Sequence, residues 1–414
     1  MTLGLRIRLS AMMFLEFFIW GAWVTVLNVY IGNLGKQVSA SPETVAATTN
    51  TVYGLMGLAS IFMPIIAGQI TDRWVPTQIF LALAQLAGGA GLILAAMAGD
   101  FSQLKLGMLI WALAYAPTIS LTNSLAFTHI KDAEKDFGAI RVFGTLGWIA
   151  SNWILSAWRY VPDIKIGGND CLYLAGAASI LMGLFCFGLP HTPPAKSGVS
   201  PFAFARAFSL LGKPRVAVFL LVSFGVGVAF YFYFTLGGNF LKDLGAGEEN
   251  IPLLQSIGNF SEIAAMLALP WCLKKWGVRT VLFLGALFGA LRYAIFALGE
   301  PYGLVVASLF THGFFFTFFF VVGFIFIDSV APKDIKASAQ GLLTLVVFGF
   351  SNWIGNNYVI GAVQKHFTVE GQPTPWTPIW LTVAAVTFIG AVIFLVTFPK
   401  GGMKEASGSS AEGS

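Results

Sequence analysis

Long apolar runs, each close to twenty residues and parted by short polar segments, recur twelve times along the chain. They cover approximately 9–31, 51–71, 77–98, 106–127, 138–161, 171–190, 216–240, 252–272, 280–298, 303–327, 338–360 and 377–398. A helix needs about 20 apolar residues to cross a bilayer. A membrane barrel strand would show strict alternation over about ten residues, and none of the runs does. The pattern predicts an all-α membrane protein with twelve spans. No small-residue cleavage site follows the first run, so no cleavable signal peptide is expected.

Polar residues inside these runs mark candidate chemistry, because an acid at membrane depth costs about 2.5 kcal/mol or more and usually faces a cavity or a partner. Two acids lie well inside, Glu16 and Glu262. In the eighth run Gln255, Asn259 and Glu262 fall at i, i+4 and i+7 and share a helix face. Glu262 is the expected centre of a transport site. Glu16, Trp20 and Trp23 repeat that spacing in the first run. Glu16 is also near enough to the start of its run to reach the headgroups. Arg141, Thr145, Trp148 and Asn152 line one face of the fifth run. Arg141 offers five donors and a fixed charge, or else sits at the interface.

Other runs add weaker candidates. The fourth aligns Tyr115, Thr118 and Thr122 around Pro117, which frees a backbone carbonyl. The seventh carries five aromatics from Phe230 to Phe234. Tyr231 and Phe234 share a face that lines a cavity or packs against neighbours. His312 and Phe316 sit in the phenylalanine-rich tenth run. His312 is a structural hydrogen-bonding group or a proton carrier. Arg292 in the ninth run is expected to snorkel and be structural.

Composition agrees with a lipid-facing surface. The 414 residues are 57% hydrophobic and 10% charged, where a soluble domain carries about 25% charged residues. Assigning both termini to the cytoplasm puts sixteen Lys and Arg in inner segments and six in outer loops, with two inside runs. That bias is the positive-inside pattern, and it predicts both termini cytoplasmic. The basic residues are spread over many segments, so no nucleic-acid patch is expected. Cys171, Cys186 and Cys272 make no spaced set and read as small hydrophobes, with no metal site or disulfide framework.

Ser151-Asn152-Trp153-Ile154 recurs as Ser351-Asn352-Trp353-Ile354, and Asp72-Arg73-Trp74 is echoed by Lys274-Lys275-Trp276. Both echoes join span n to span n+6, which predicts a repeat of two six-span halves. The expected organisation is an N-terminal bundle (1–190), a cytoplasmic linker (191–215), a C-terminal bundle (216–400) and a disordered Ser/Gly-rich tail (401–414). Lys131–Asp136 is expected to be a solvated turn.

The ordered set Phe18-Ile19-Trp20-Gly21-Ala22-Trp23, Phe62-Met63-Pro64, Tyr115-Ala116-Pro117-Thr118, Arg141–Gly147, Ser261-Glu262 and Ala337–Gly341 resembles the nucleoside:proton symporter family of the Major Facilitator Superfamily. Asp72-Arg73 after Gly68 resembles that superfamily's loop between helices 2 and 3, which implies a conformational latch. The resemblance implies two pseudo-symmetric six-helix bundles and a central site with alternating access. It implies substrate contacts from Arg141, Thr145, Trp148, Asn259, Glu262 and Phe316. It departs from the family where Glu16 and Asn259 replace glutamines, where Tyr231 and Phe234 stand near amide positions, where His312 stands near a tyrosine and Thr317 near an acid.

The expected function is import of nucleosides by proton symport across a bacterial cytoplasmic membrane. Arg141, Thr145, Trp148, Tyr231, Phe234, Asn259, Glu262, His312 and Phe316 would contact substrate. The proton would ride on Glu262, Glu16 or His312. No cofactor other than the coupling proton is expected, and the chain reads as a monomer. A permease for a sugar, glycoside or muropeptide is the alternative, and a non-transporting membrane sensor a remote one. An enzyme is not expected, since no nucleophile elbow, phosphate loop or metal-ligand cluster is present.

Overall fold

A computed structural model describes residues 2–130, 133–161, 168–194, 208–332, 336–369 and 372–397. The described residues are helical throughout apart from short turns. Eight helices among them are long and apolar enough to cross a membrane, the fifth span is the single 27-residue helix Ala133–Arg159, and the sixth is the shorter helix Asp170–Cys186. Side chains with the largest exposure in the spans are apolar, with Leu267 and Val396 both 80% exposed, as a surface facing lipid requires.

Close contacts divide the chain into two compact units, Met1–Ser197 with Phe234–Ser256, and Gly198–Tyr233 with Ile257–Ser414. The hairpin tip of the seventh and eighth spans thus groups with the first unit, although the 216–400 half expected from sequence includes it. Lys131–Asp136 and the 401–414 tail lie outside the described residues or side chains. Of the 191–215 linker, the beginning is docked. His191 Nδ1 lies 2.8 Å from Gln78 Nε2, and Thr192 N–H donates to Gln78 Oε1 at 2.9 Å.

The first unit contains α1 (Leu3–Val24), α2 (Leu27–Gln37), α3 (Pro42–Arg73), α4 (Thr77–Ala96), α5 (Phe101–Tyr115), α6 (Thr118–His129), α7 (Ala133–Arg159) and α8 (Asp170–Cys186). Helix α1 packs against α7 and α8, and α4 against α5 and α8. Small residues permit the close approach of α1 and α7. A Cβ on Gly147 would collide with the Phe14 carbonyl, and one on Gly21 would lie 2.7 Å from Ser151 Oγ.

The first span is not one helix. It breaks at Thr25-Val26, where neither proline nor glycine marks the sequence. In hydrocarbon a freed carbonyl needs a partner from the protein, and those of Val24 and Thr25 have one. Tyr53 Oη donates to Val24 O at 2.8 Å, and Gln255 Nε2 donates to Thr25 O at 2.7 Å. Thr25 Oγ1 donates to Asn152 Oδ1 at 2.9 Å. The fourth span breaks at Ala116-Pro117, as proline predicts.

Helices α9 (Pro214–Asp243) and α10 (Ile251–Leu298) frame the hairpin tip. Asn28 Nδ2 donates to Thr235 O at 3.0 Å, Ser156 Oγ to Glu249 O at 2.6 Å, and Trp153 Nε1 to Ser256 Oγ at 3.0 Å. Arg159 grips both Asp170 oxygens at 2.8 Å and donates Nη1 to Glu248 O at 3.0 Å. This one guanidinium therefore ties the end of α7 to the start of α8 and to the hairpin.

In the second unit, Gly277 (φ 75°, ψ 165°) parts α10 into the eighth and ninth spans, a left-handed conformation that glycine adopts without strain. The tenth span runs through α11 (Tyr302–Ser308), α12 (Thr311–Phe315), a π-helical segment (Phe316–Val321) and α13 (Val322–Val330). The eleventh joins α14 (Lys336–Thr344), α15 (Ser351–Ile354) and α16 (Gly361–Phe367) through π segments Leu345–Phe350 and Gly355–Ile360. Helix α17 (Trp376–Thr397) closes the chain's described part. Ser351 Oγ lies 2.5 Å from where a Gly227 Cβ would stand, so this unit repeats the Gly21–Ser151 packing of the first. The recurring Ser-Asn-Trp-Ile tetrapeptide marks the equivalent helix contact in each.

Two stability outcomes follow from these contacts. Gly147→Val is expected to cost about 1–3 kcal/mol by overpacking, read as a lower unfolding temperature in detergent. Arg159→Ala leaves the largely buried Asp170 without its partner, and loss of about 3–5 kcal/mol is expected. Arg159→Ala with Asp170→Ala should recover part of that loss in a double-mutant cycle.

Candidate functional site

In the first unit, the faces selected by spacing converge. Gly144 and Gly147 let α1 lie against the α7 face that carries Arg141, Thr145 and Trp148. The Arg141 guanidinium sits 4.0 Å over the Phe17 ring of α1. Thr145 is buried and Trp148 half-buried. Trp20 meets Trp148 at 5.7 Å with 66° between ring planes, and Phe234 meets it at 6.1 Å with 70°. Among the described residues no ring stacks parallel on the Trp148 indole. Trp23, by contrast, is core material, 4.8 Å from Trp111 and 5.8 Å from Tyr53.

Glu16 is fully buried, which overturns the alternative that it reaches the headgroups. Its Oε1 accepts from Thr118 Oγ1 at 2.6 Å and its Oε2 from Gln85 Nε2 at 2.9 Å. Gln85 is steadied by Ser179 Oγ, which lies 2.8 Å from both its backbone and side-chain oxygens. Tyr115 Oη donates to the Glu16 backbone carbonyl at 2.5 Å. The carboxylate is thus held by neutral donors from α4 and α6, and no basic side chain among the described residues lies within ion-pair distance.

In the second unit, Asn259 Nδ2 lies 3.4 Å from Glu262 Oε2, and both residues are buried. A Cβ on Gly313 would collide with the Glu262 backbone N–H, and one on Gly258 would lie 2.6 Å from His312 Cβ. These two glycines bring α12 and its His312 against the Glu262 turn. Gln255 is the exception to its shared face, since it caps the α1 break instead of joining Asn259 and Glu262. Phe316 is half-buried, with Phe230 6.1 Å away. Tyr231 is buried. Thr317 is buried, and its hydroxyl has no hydrogen-bond partner among the described residues.

Arg292 is fully buried and does not snorkel. Its Nη1 lies 2.6 Å from His312 Nδ1, and its Nη2 donates to Tyr293 Oη at 2.8 Å. The guanidinium lies 4.3 Å over the Tyr233 ring, an arrangement that offsets the loss of water around a cation. A guanidinium only donates, so His312 Nδ1 takes the acceptor role. His312 is further sandwiched by Phe230 at 5.5 Å and Tyr233 at 5.2 Å.

At the end of α3, Asp72 is half-buried and Arg73 exposed, with no ion pair to a described residue. Sequence reasoning missed Gln85, Ser179 and the Arg292–His312 contact. A lone amide and a lone hydroxyl in apolar spans were the available signal for the first two. For the third, two basic residues twenty positions apart on different spans gave no spacing to read.

A family model described as "Nucleoside H+ symporter" matches residues 3–402. The putative nucleoside transporter YegT of Escherichia coli K12 is 35% identical over 411 residues, 94% of this chain and 93% of that protein. The xanthosine permease of the same organism is 31% identical, with 96% of each chain covered. The crystal structure of the nucleoside transporter NupG superposes with a TM-score of 0.82 at 28% identity, covering 96% of this chain and 99% of that one. The match spans both units and all twelve spans, and the fold is that of the Major Facilitator Superfamily. The chain is a multi-pass membrane transporter and belongs to the nucleoside H+ symporter family.

Proposed function

We propose that this transporter imports nucleosides by proton symport through alternating access, across a bacterial inner membrane with both termini in the cytoplasm. The single observation that carries the substrate assignment is the half-buried Trp148 indole, bordered edge-on by Trp20 and Phe234 and, among the described residues, lacking a parallel stacked ring. A nucleobase is flat and supplies that stack. Arg141 and Thr145 stand on the same helix face for the hydroxylated ribose or the base edge, and within the second unit Asn259 and Glu262 pair an amide with a carboxylate. Polar contacts in a water-poor site discriminate strongly against analogues that cannot make them.

The family supports the coupling ion and the substrate class, and the relatives' names support a nucleoside in particular. The halves 1–190 and 216–400 would rock about the site, with Asp72 and Arg73 latching one state. His312 serves as the acceptor for Arg292 in this scheme, which leaves the two carboxylates as proton carriers. Coupling requires that proton and substrate together lower the barrier to rocking.

Uptake of labelled uridine, adenosine and xanthosine into proteoliposomes tests the assignment. Accumulation above equilibrium is expected with an inward proton gradient and is expected to vanish with a protonophore. Transport of sugars without any nucleoside would contradict it. Trp148→Ala is expected to weaken purine nucleoside binding by about 1–3 kcal/mol while ribose affinity changes little. Equal losses for nucleoside and ribose would remove base stacking from the account.

A further inference from the structure

The Glu16 network has a property that the substrate reading leaves unused. Thr118 Oγ1 has one hydrogen and two acceptors within reach, Glu16 Oε1 at 2.6 Å and the Tyr115 carbonyl at 2.7 Å. With Glu16 ionised, the hydroxyl donates to Oε1 and Gln85 Nε2 donates to Oε2. With Glu16 protonated, its new O–H donates to Thr118 Oγ1, and the threonine hydrogen turns to the Tyr115 carbonyl. That carbonyl lies at the α5–α6 break, where the hydroxyl of Thr118 meets it. Gln85 continues to donate to Oε2 in either case. Every polar group is satisfied in both states, and only hydrogens move.

A structural carboxylate in hydrocarbon would be expected to hold a cation, as Arg159 and Asp170 hold each other. Glu16 instead has neutral donors arranged to serve two charge states. We infer that Glu16, with Thr118 as a rotating hydroxyl partner and Gln85 as a fixed donor, is the protonation site to which transport is coupled. This inference rests on the proton-symport reading above and locates the proton within it.

The charged and titratable groups that face Glu16 are few. Helix α7 brings Arg141, which is occupied by the Phe17 ring. Tyr115 comes from α5 and donates to the Glu16 backbone. Helix α8 brings Cys186, and α4 and α6 bring the uncharged Gln85 and Thr118. A route from proton to substrate is short. Trp20 stands one helical turn from Glu16, 6.3 Å from the Tyr115 ring and 5.7 Å from Trp148. A base stacked on Trp148 would press on Trp20, and through it on the tyrosine that holds the Glu16 turn.

The test is the pH-difference infrared spectrum of the full-length protein in lipid, without substrate. A protonated-carboxyl band should titrate in the wild type, disappear in Glu16→Gln and persist in Glu262→Gln. Thr118→Val should keep the band and move it to higher frequency, because the carboxyl O–H loses its acceptor. Thr118→Ser should restore the wild-type position. A band that survives Glu16→Gln, or that Thr118→Val leaves unmoved, overturns the inference, as does a wild type with no titrating band. Because no substrate is present, a failed nucleoside assignment leaves this readout intact, and the two failures are distinguishable.

Discussion

A polar group inside a bilayer has no water to fall back on, so a bent helix or a buried charge persists there only where another part of the chain answers it. That constraint decides where the helices bend and which side chains meet. The α1–α2 break survives because Tyr53 and Gln255 cap the carbonyls it frees. Arg292 survives because His312, Tyr293 and the Tyr233 ring replace its water. Glu16 survives because three helices aim neutral donors at it.

Helix α1 is where these demands converge. Gly147 lets it approach α7 closely enough for Trp20 to border Trp148. Its own next turn carries Glu16 to the Gln85 and Thr118 donors. One short helix segment thus joins a candidate base-stacking indole to a candidate proton site. Coupling between two ligands requires an element that both bias, and α1 has contacts to serve as that element. In the second unit the Gly258 and Gly313 contacts hold His312 close to the Glu262 turn in a comparable way.

Much of this was legible in the residues because membrane depth makes polar positions conspicuous. The twelve spans and the shared face of Arg141, Thr145 and Trp148 follow from spacing and hydropathy, whereas the spacing of Glu16 leaves its burial open. The tetrapeptide repeat at Ser151 and Ser351 reads as a sign of two halves, and the helix contact it makes in each unit was not legible. The break at Thr25 was not legible, since it is stabilised by Tyr53, Asn152 and Gln255, which are distant in sequence. Gln255 misled for the same reason: its spacing matches Asn259 and Glu262, but a carbonyl from another span claims it. Arg292 was misread because hydropathy cannot show an aromatic enclosure assembled from three spans.

The central claim is that nucleoside and proton cross together. Uridine and adenosine are uncharged at neutral pH, so any proton that enters with them comes from the coupling and not from the substrate. The most direct measurement traps a pH-sensitive dye inside proteoliposomes and adds external nucleoside with no initial pH gradient and the membrane potential clamped. The account predicts that the lumen acidifies as nucleoside enters, at a rate that scales with uptake. Nucleoside entry at an unchanged internal pH would contradict it.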